Sequence, residues 1–523
     1  MRLSVLLRNA GYGEISVPMD MEIRDICSDT RMVTAGSLFV ALRGTRIDSH
    51  FLLDQAAENG AACAVVDRSY CGEAVIRTVA LPDTREALSR LWDAFLAHPA
   101  EGMTLIGVTG TNGKTTVSHL LSDVLSEEGM RVGRIGTVDG SSCGRTLFYE
   151  NVDPEAHMTT PDPYILYPML SEMRQDGCEI VVMEATSHAS ALKKLAPLRF
   201  DLLIFTNLTE DHLDFHKTPE AYFEAKAALT RQARRVLVNL DNSAVLGDPY
   251  GYAQRFATAA RESGAQVFTC SAYESRCPDF LLSHFQSGGG TEGSGTSFRF
   301  FSRLHGEGFT VNSPLLGGYN GMNLLEGASA AFLLGASEEA VKAALRVSRG
   351  APGRMERVDL GDDAEITVLI DFAHTPDALE NLLKTVRGFR KKGQRLSVLF
   401  GCGGDRDRSK RREMAMVASR LADLTYITSD NSRSEDPSAI IKDILKGIDK
   451  EKPYRVVKDR REAIEEAILQ AKEGEILLLC GKGHEQYQID RNGIHDFCES
   501  DIARRAYRIR KTMKDTDHGE AKE

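Results

Sequence analysis

The sequence predicts an α/β protein of three successive α/β domains. Short apolar runs alternate with helical stretches along nearly the whole chain, as in parallel sheets joined by crossover helices. A glycine-rich turn at 110–116 sits between one such run and a helix. Polar, charged loops follow several later runs, where an open parallel sheet gathers its ligand-binding residues. At roughly 150 residues per domain, 523 residues allow three or four domains.

The first domain is expected over 1–100. Residues 37–42 read as a strand, 51–59 as a helix and 61–66 as a second strand. A helix over 85–97 leads to Pro99-Ala-Glu-Gly102, a plausible boundary. The second domain, 101–346, opens with the strand 104–108, followed by strand candidates at 179–183, 201–205 and 235–239. The Gly/Ser-rich segment 286–297 reads as a hairpin or loop insertion, because a strand pattern resumes at Phe298. The third domain, 347–523, follows Gly350-Ala-Pro-Gly353, with strands at 367–371, 396–400, 424–428 and 475–480. The charged tail from Lys511 is expected to fray.

Composition narrows the function. With 42% hydrophobic and 27% charged residues the chain has ample core material and is not a disordered or collagen-like protein. A net charge of −11 disfavours nucleic acid as the main partner. Ten scattered cysteines with no C-x-x-C pair suit a reduced compartment and read as small apolar fillers. The N-terminal stretch is too short in apolar residues for a signal peptide, and no run approaches a membrane span. A cytoplasmic protein is expected.

The strongest motif is Gly107-Val-Thr-Gly-Thr-Asn-Gly-Lys-Thr-Thr116. Glycines let backbone amides approach phosphate, and the following helix adds partial positive charge. Lys114 would contact the β- and γ-phosphates and Thr115 or Thr116 a magnesium ion, although Val108 stands where the standard loop begins with glycine. Glu184 ends the next strand, beside the expected nucleotide crevice; taken alone, it reads first as a solvated strand-end carboxylate. Glu210, Asp211, His212 and Asp214 offer oxygen and imidazole ligands after another strand. By pattern, Lys226 is a solvated helix lysine. In the third domain, 401–412, 430–437 and 481–485 should line one crevice. Arg406 and Arg433 there suit a carboxylate, and Asp430 and Glu485 an ammonium group; helix capping by Asp430 or Ser432 is the competing account.

Together these motifs resemble the Mur ligases of peptidoglycan synthesis, in the branch that adds the third residue of the stem peptide. The resemblance runs over almost the whole chain. It includes Ser28-Asp-Thr-Arg31, the loop 110–116, Thr159-Thr-Pro-Asp162, Thr206-Asn-Leu-Thr-Glu-Asp-His212, Gly353-Arg-Met-Glu356, Asp371-Phe-Ala-His374, Asp430-Asn-Ser-Arg433 and Gly481-Lys-Gly-His-Glu485. It implies a P-loop ATPase-like central sheet and a Rossmann-like C-terminal domain. It further implies that Ser28, Thr30, Thr45, Arg46 and Ile47 hold the UDP part of the substrate. Thr159, Thr160, Thr186 and Lys194 would contact the muramoyl peptide. ATP would be bound by Gly110, Thr111, Asn112, Gly113, Lys114, Thr115 and Thr116, with Asn320, Asn323, Arg354 and Asp371. Thr115, Glu184, His212 and a carbamylated Lys226 would hold Mg2+. Arg406, Asp430, Asn431, Ser432, Arg433, Gly481 and Glu485 would bind the incoming amino acid.

The implied reaction is ATP-dependent amide formation on a UDP-N-acetylmuramoyl-dipeptide through an acyl phosphate, by a monomer. Arg433 favours meso-diaminopimelate over lysine, since lysine has no distal carboxylate to pair with it. Several positions depart from the family pattern: Ser432 replaces a proline, Lys194 an arginine, Met158 a frequent asparagine, and Ala185-Thr186-Ser187-His188 stands where the family has V-S-S-H. The enzymatic rival is folylpolyglutamate synthetase, disfavoured by the Ser28–Val40 pattern and the paired threonines. A silent nucleotide-binding regulator is disfavoured by the retention of Lys114, Glu184, His212 and Lys226.

Overall fold

A computed structural model describes residues 1–13, 15, 20–44, 47–147, 158–209, 211–242, 248, 250–287, 295–361 and 363–520. These form two compact units, one of 1–283, 300–309 and 323–344, the other of 284–299, 310–322 and 345–523. Among the described residues no helix is long and apolar enough to cross a membrane.

In the first unit, strands Asp25–Cys27, Ser37–Val40, Cys63–Asp67 and Thr78–Leu81 form a parallel sheet in chain order. Helix Thr84–Phe95 covers it, with Asp83 accepting hydrogen bonds from the first-turn amides of Arg85 and Glu86. Its apolar stripe buries Leu88, Leu91 and Trp92.

An eleven-stranded sheet follows. Its parallel centre runs in the order Ala233–Asn239, Phe200–Phe205, Thr104–Thr109, Ile180–Glu184, Val132–Ile135. Thr104–Thr109 lies where the chain reverses its direction of sheet building, so loops leaving it and its two neighbours open onto one crevice. Burial on both faces explains why these strands read as unbroken apolar runs. The Gly/Ser-rich stretch lies between adjacent strands Phe280–Ser287 and Thr296–Ser302; residues 288–294 are outside the described residues.

The second unit holds a six-stranded sheet ordered Glu356–Arg357, Thr367–Asp371, Ile476–Cys480, Leu396–Phe400, Leu424–Ile427, Tyr454–Val456. Only the short first strand is antiparallel. Alternation divides the strand residues between two cores. Val398, Phe400 and Leu478 join helices Pro376–Phe389, Ser409–Leu421 and Pro437–Leu445. Leu399, Leu477 and Leu479 join Arg460–Leu469 and Glu499–Glu520. The last helix corrects the expectation of fraying from Lys511, because it continues to Glu520. Lys511 pairs with Asp363 and Lys514 with Glu365, so these two charges of the tail have partners.

One core carboxyl stands out. Glu326, on helix Gly318–Leu333, is 1% exposed. Its Oε1 accepts a 2.7 Å hydrogen bond from Asn239 at a strand end, while Oε2 has no partner. Burial, aided by nearby Asp241 and opposed by the Asn239 bond, raises its pKa from 4.5 to about 8, so the folded protein holds it protonated at neutral pH. Its stabilising contribution is then complete below about pH 4.5 and is lost as pH rises through about 8. Glu326→Gln should flatten the fall in melting temperature between about pH 6 and 9; an unchanged slope would place the titration elsewhere.

Candidate active site

Gly110 leaves strand Thr104–Thr109 at φ +148, where an added Cβ would lie 2.0 Å from Thr206 Oγ1. Only glycine lets the two strand-end loops come this close. Gly113, at φ +88, caps helix Lys114–Glu127, so the helix begins inside the glycine-rich motif. Residues 206–209 brace the loop from below. The Asn112 amide donates to Asn207 Oδ1 at 2.9 Å, Thr206 Oγ1 donates to the Asn112 carbonyl at 2.6 Å, and the Thr209 amide donates to Thr111 Oγ1 at 3.0 Å. Asn323 Oδ1 lies at the space a Gly113 Cβ would fill. Lys114 curls back, its Nζ donating to the carbonyls of Gly110 at 3.1 Å and Thr111 at 2.8 Å. Thr115 and Thr116 sit in the first helical turn, with backbone amides aimed as an anion site requires.

Glu184 is not the solvated strand end that its pattern allowed; it is 1% exposed. Its Oε1 accepts from the Thr137 amide at 2.8 Å, and its Oε2 from Thr137 Oγ1 at 3.1 Å and Thr115 Oγ1 at 3.2 Å. The Thr137 and Thr159 hydroxyl oxygens also lie in hydrogen-bond contact at 3.0 Å, with Thr159 able to donate. Thr160 donates to the Glu184 carbonyl at 2.8 Å and shares a 3.0 Å hydroxyl contact with Thr186. This hydroxyl web joins the nucleotide loop to the paired threonines.

Lys226 also departs from its pattern, being 1% exposed on helix Pro219–Ala227. Its Nζ donates to the Gly110 carbonyl at 2.6 Å and lies 4.6 Å from the Tyr222 ring centroid. Burial, with Lys114 adding repulsion against a weaker pull from Asp211, holds its pKa well below the usual lysine range. The protonated form is therefore disfavoured, which favours a nucleophilic amine. The reading as a solvated lysine fails because the apolar side of a short helix faces the loop, which no periodicity in nine residues reveals.

His212 occupies a left-handed N-cap at φ +54 and stacks edge-on to His188 at 4.8 Å. Its Nε2 is 3.5 Å from Asp211, and its side chain is 45% exposed. Glu210 and the side chain of Asp214 are outside the described residues. Among the described residues no three His, Cys, Asp or Glu side chains gather as a metal cage. The hydroxyl of Thr115 and carboxylate of Glu184 are hard oxygen donors, a set suited to Mg2+ carried in with phosphates.

Other expected contacts divide. Thr30 is buried, with its carbonyl accepting from Asn59 Nδ2 at 2.8 Å; Ile47 is 63% exposed; Thr45 and Arg46 are outside the described residues. Ser28 lies half-buried just after strand Asp25–Cys27. Lys194 is 4% exposed and pairs with Asp162 at 2.8 Å, with Met158 Sδ 3.2 Å away.

In the second unit, Asp371 accepts from the amides of Met355 and Ala373, both at 2.8 Å. Burial raises its pKa, and Arg354 counters that rise. Arg354 lies over the Phe372 ring at 4.9 Å, and its buried Nε has no hydrogen-bond partner. Asn320 is buried and donates to the Leu316 carbonyl at 2.9 Å.

The three polar loops do converge. Asn431 donates to Glu485 Oε2 at 2.9 Å and accepts from Lys482 Nζ at 2.8 Å. Lys482, fully buried, lies 3.9 Å from Asp430 and 3.7 Å from Glu485. Burial alone would raise Asp430, but Lys482 and Arg460 outweigh it and hold the carboxyl below its usual range. Glu485 is raised by burial and by Asp430. Arg433 donates to the carbonyls of Gly404 at 3.1 Å and Asn431 at 3.2 Å, while Arg406 is exposed and donates to the Asp405 carbonyl. Ser432 is buried against Gly404, and Gly481 lies where a Cβ would meet Asp430. The capping account fails for Asp430 and Ser432, since Asp436 caps helix Pro437–Leu445.

Sequence reasoning missed Thr137, Tyr222, Lys482 and Arg460 as parts of these sites. Lys482 stands inside the 481–485 motif and could have been found there. Arg460, which joins Glu499 at 2.8 Å and the Cys480 carbonyl at 2.8 Å, leaves no local signal.

Residues 108–331 match the Mur ligase middle domain and 353–483 the Mur ligase glutamate ligase domain. The chain is 39% identical, over 98% of its length and 99% of the relative's, to the UDP-N-acetylmuramoyl-L-alanyl-D-glutamate–2,6-diaminopimelate ligase of Gloeobacter violaceus. It is 40% identical to the ligase of the same name from Geobacillus kaustophilus, over 92% of this chain and 94% of that one. A solved structure of a ligase of that name aligns with TM-score 0.67 and 30% identity, covering 98% of this chain and 100% of its own. Mycobacterium tuberculosis folylpolyglutamate synthase, 17% identical with TM-score 0.58 over 76% of this chain and 92% of that one, shares the fold alone. With relatives of this identity along nearly its full length, the chain belongs to the Mur ligase family.

Proposed function

We propose that this protein is an ADP-forming ligase that joins meso-diaminopimelate to UDP-N-acetylmuramoyl-L-alanyl-D-glutamate in peptidoglycan precursor synthesis, acting in the cytoplasm as a monomer. One observation carries the reaction class: Lys114, Glu184 and the buried Lys226 all bear on a single phosphate-type loop. The relatives' shared activity supplies the substrates. In this reading residues 1–100 hold the UDP moiety, 101–346 bind ATP, and 347–523 bind the amino acid.

The terminal D-glutamate carboxylate attacks the γ-phosphorus of ATP, giving an acyl phosphate and ADP. The neutral amine of the incoming residue then attacks the acyl carbon, forming the amide and releasing phosphate. Carboxylate and triphosphate repel, so the first step needs local positive charge. Lys114 would leave its own loop carbonyls for the phosphates, and the amides at the start of helix Lys114–Glu127 would add theirs. Thr115, Glu184 and His212 would hold Mg2+, which would supply charge neutralisation when bound. Lys226, whose protonated form burial disfavours, suits carbamylation by carbon dioxide, since the carbamate nitrogen keeps a hydrogen for the Gly110 carbonyl and the new negative charge faces Lys114. In the amino-acid site Arg433 would take the distal carboxylate, with Asp430 and Glu485 toward the ammonium end.

Phosphate release with this UDP-dipeptide should favour meso-diaminopimelate over lysine and ornithine. A preference for lysine would overturn the amino-acid assignment and leave the ligase reading intact. Lys226→Ala should lower turnover about a hundredfold or more and recover partly with short-chain carboxylates; no recovery counts against the carbamate.

A further inference from the structure

Two sulfurs lie in contact away from the phosphate loop. Cys143 Sγ and Cys178 Sγ are 3.1 Å apart, both within the first unit. Cys143 is exposed and Cys178 buried. The approach is built by the backbone. Strands Gly140–Ser142 and Arg145–Thr146 are antiparallel and joined by the two residues Cys143 and Gly144, at φ +49 and +84. Positive φ at both positions is the type I′ hairpin turn, which usually takes Asn or Asp before its glycine. A cysteine there is held in one direction, and its amide is tied to the Val132 carbonyl at 3.0 Å. Cys178 sits just before strand Ile180–Glu184, its amide tied to the Met173 carbonyl at 2.9 Å.

Polar contacts clamp the hairpin to the helix end that precedes Cys178. Ser142 Oγ donates to Asp176 at 2.5 Å, and Arg145 reaches Glu172 at 2.7 Å and Asp176 at 2.6 Å.

We propose that Cys143 and Cys178 form a modification site, a dithiol that closes to an intramolecular disulfide on meeting a small-molecule disulfide such as glutathione disulfide. The exposed Cys143 thiolate attacks one sulfur of that molecule, forming a mixed disulfide and expelling one glutathione thiolate. The Cys178 thiolate then attacks the Cys143 sulfur and expels the second. The protein loses two electrons and two protons, and both glutathione sulfurs leave as thiols. Burial raises the Cys178 thiol, so the second displacement quickens with pH. The closed loop runs from 143 to 178 and carries Thr159 and Thr160, whose hydroxyls belong to the web around Glu184. Closure limits the freedom of that segment in the unfolded chain.

The test treats the full-length protein with glutathione disulfide, blocks free thiols and maps cross-linked peptides by mass spectrometry. Expected are a Cys143–Cys178 peptide, the loss of two titratable thiols, a melting temperature higher by a few degrees, and reversal by dithiothreitol. Cys178→Ser should stop at a glutathione adduct on Cys143. Cys143→Ser, a change at an exposed turn, should abolish the cross-link without loss of folding. A persistent glutathione adduct on the unaltered protein, a Cys143-linked dimer, or two unreacted thiols would each overturn the proposal.

Discussion

The first unit's site depends on the buried carboxylate of Glu184. A carboxylate removed from water must have its lone pairs met, and here a backbone amide and two threonine hydroxyls meet them. Those donors come from the phosphate-type loop and from the turn after strand Val132–Ile135, so satisfying one charge fixes the spacing of two loops. Thr159 and Thr160 extend the same web, which aligns the paired threonines with the loop. Removing the carboxylate would leave several hydroxyls without their acceptor, a cost larger than any one of the bonds.

The second unit solves a similar problem with full charges. Arg460 and Glu499 are fully buried partners, and Lys482 stands between Asp430 and Glu485. Such pairs add little net stability, because desolvation consumes most of their attraction. Their effect is geometric. The Arg460 guanidinium binds the carbonyls of Ser429 and Cys480, tying together the ends of two strands whose loops carry the candidate amino-acid contacts. Lys482 fixes Asn431 and also donates to the Tyr487 carbonyl at 2.7 Å. Losing proline at Ser432 therefore leaves the loop held from other directions, by close packing on Gly404 and by the Arg433 contacts.

The departure at Lys194 has a structural counterpart. Its ammonium is committed to Asp162 and to the Thr160 carbonyl at 3.3 Å, which makes it a brace for the paired-threonine segment. An arginine there would have further donors to offer a ligand; a lysine so placed spends its charge within the protein.

The sequence by itself determined the α/β class, many of the longer strands and the phosphate-type loop, because apolar runs and glycine spacing are local signals that survive without neighbours, whereas short strands such as Val132–Ile135 left no such signal. Thr367–Asp371 and Leu396–Phe400 fall where the apolar runs place them. It also placed the phosphate-type loop, Glu184 and the three polar loops of the second unit at strand ends. It did not determine which side chains would be charged, buried or paired. Lys226 and Glu184, each taken alone, read as solvated and are buried; Arg460 carries no signal. These properties belong to strand order, which brings together residues more than sixty positions apart, such as Thr115 and Glu184. Only the tertiary structure decides them, because a pKa and a hydrogen-bond partner are set by what surrounds a group in space.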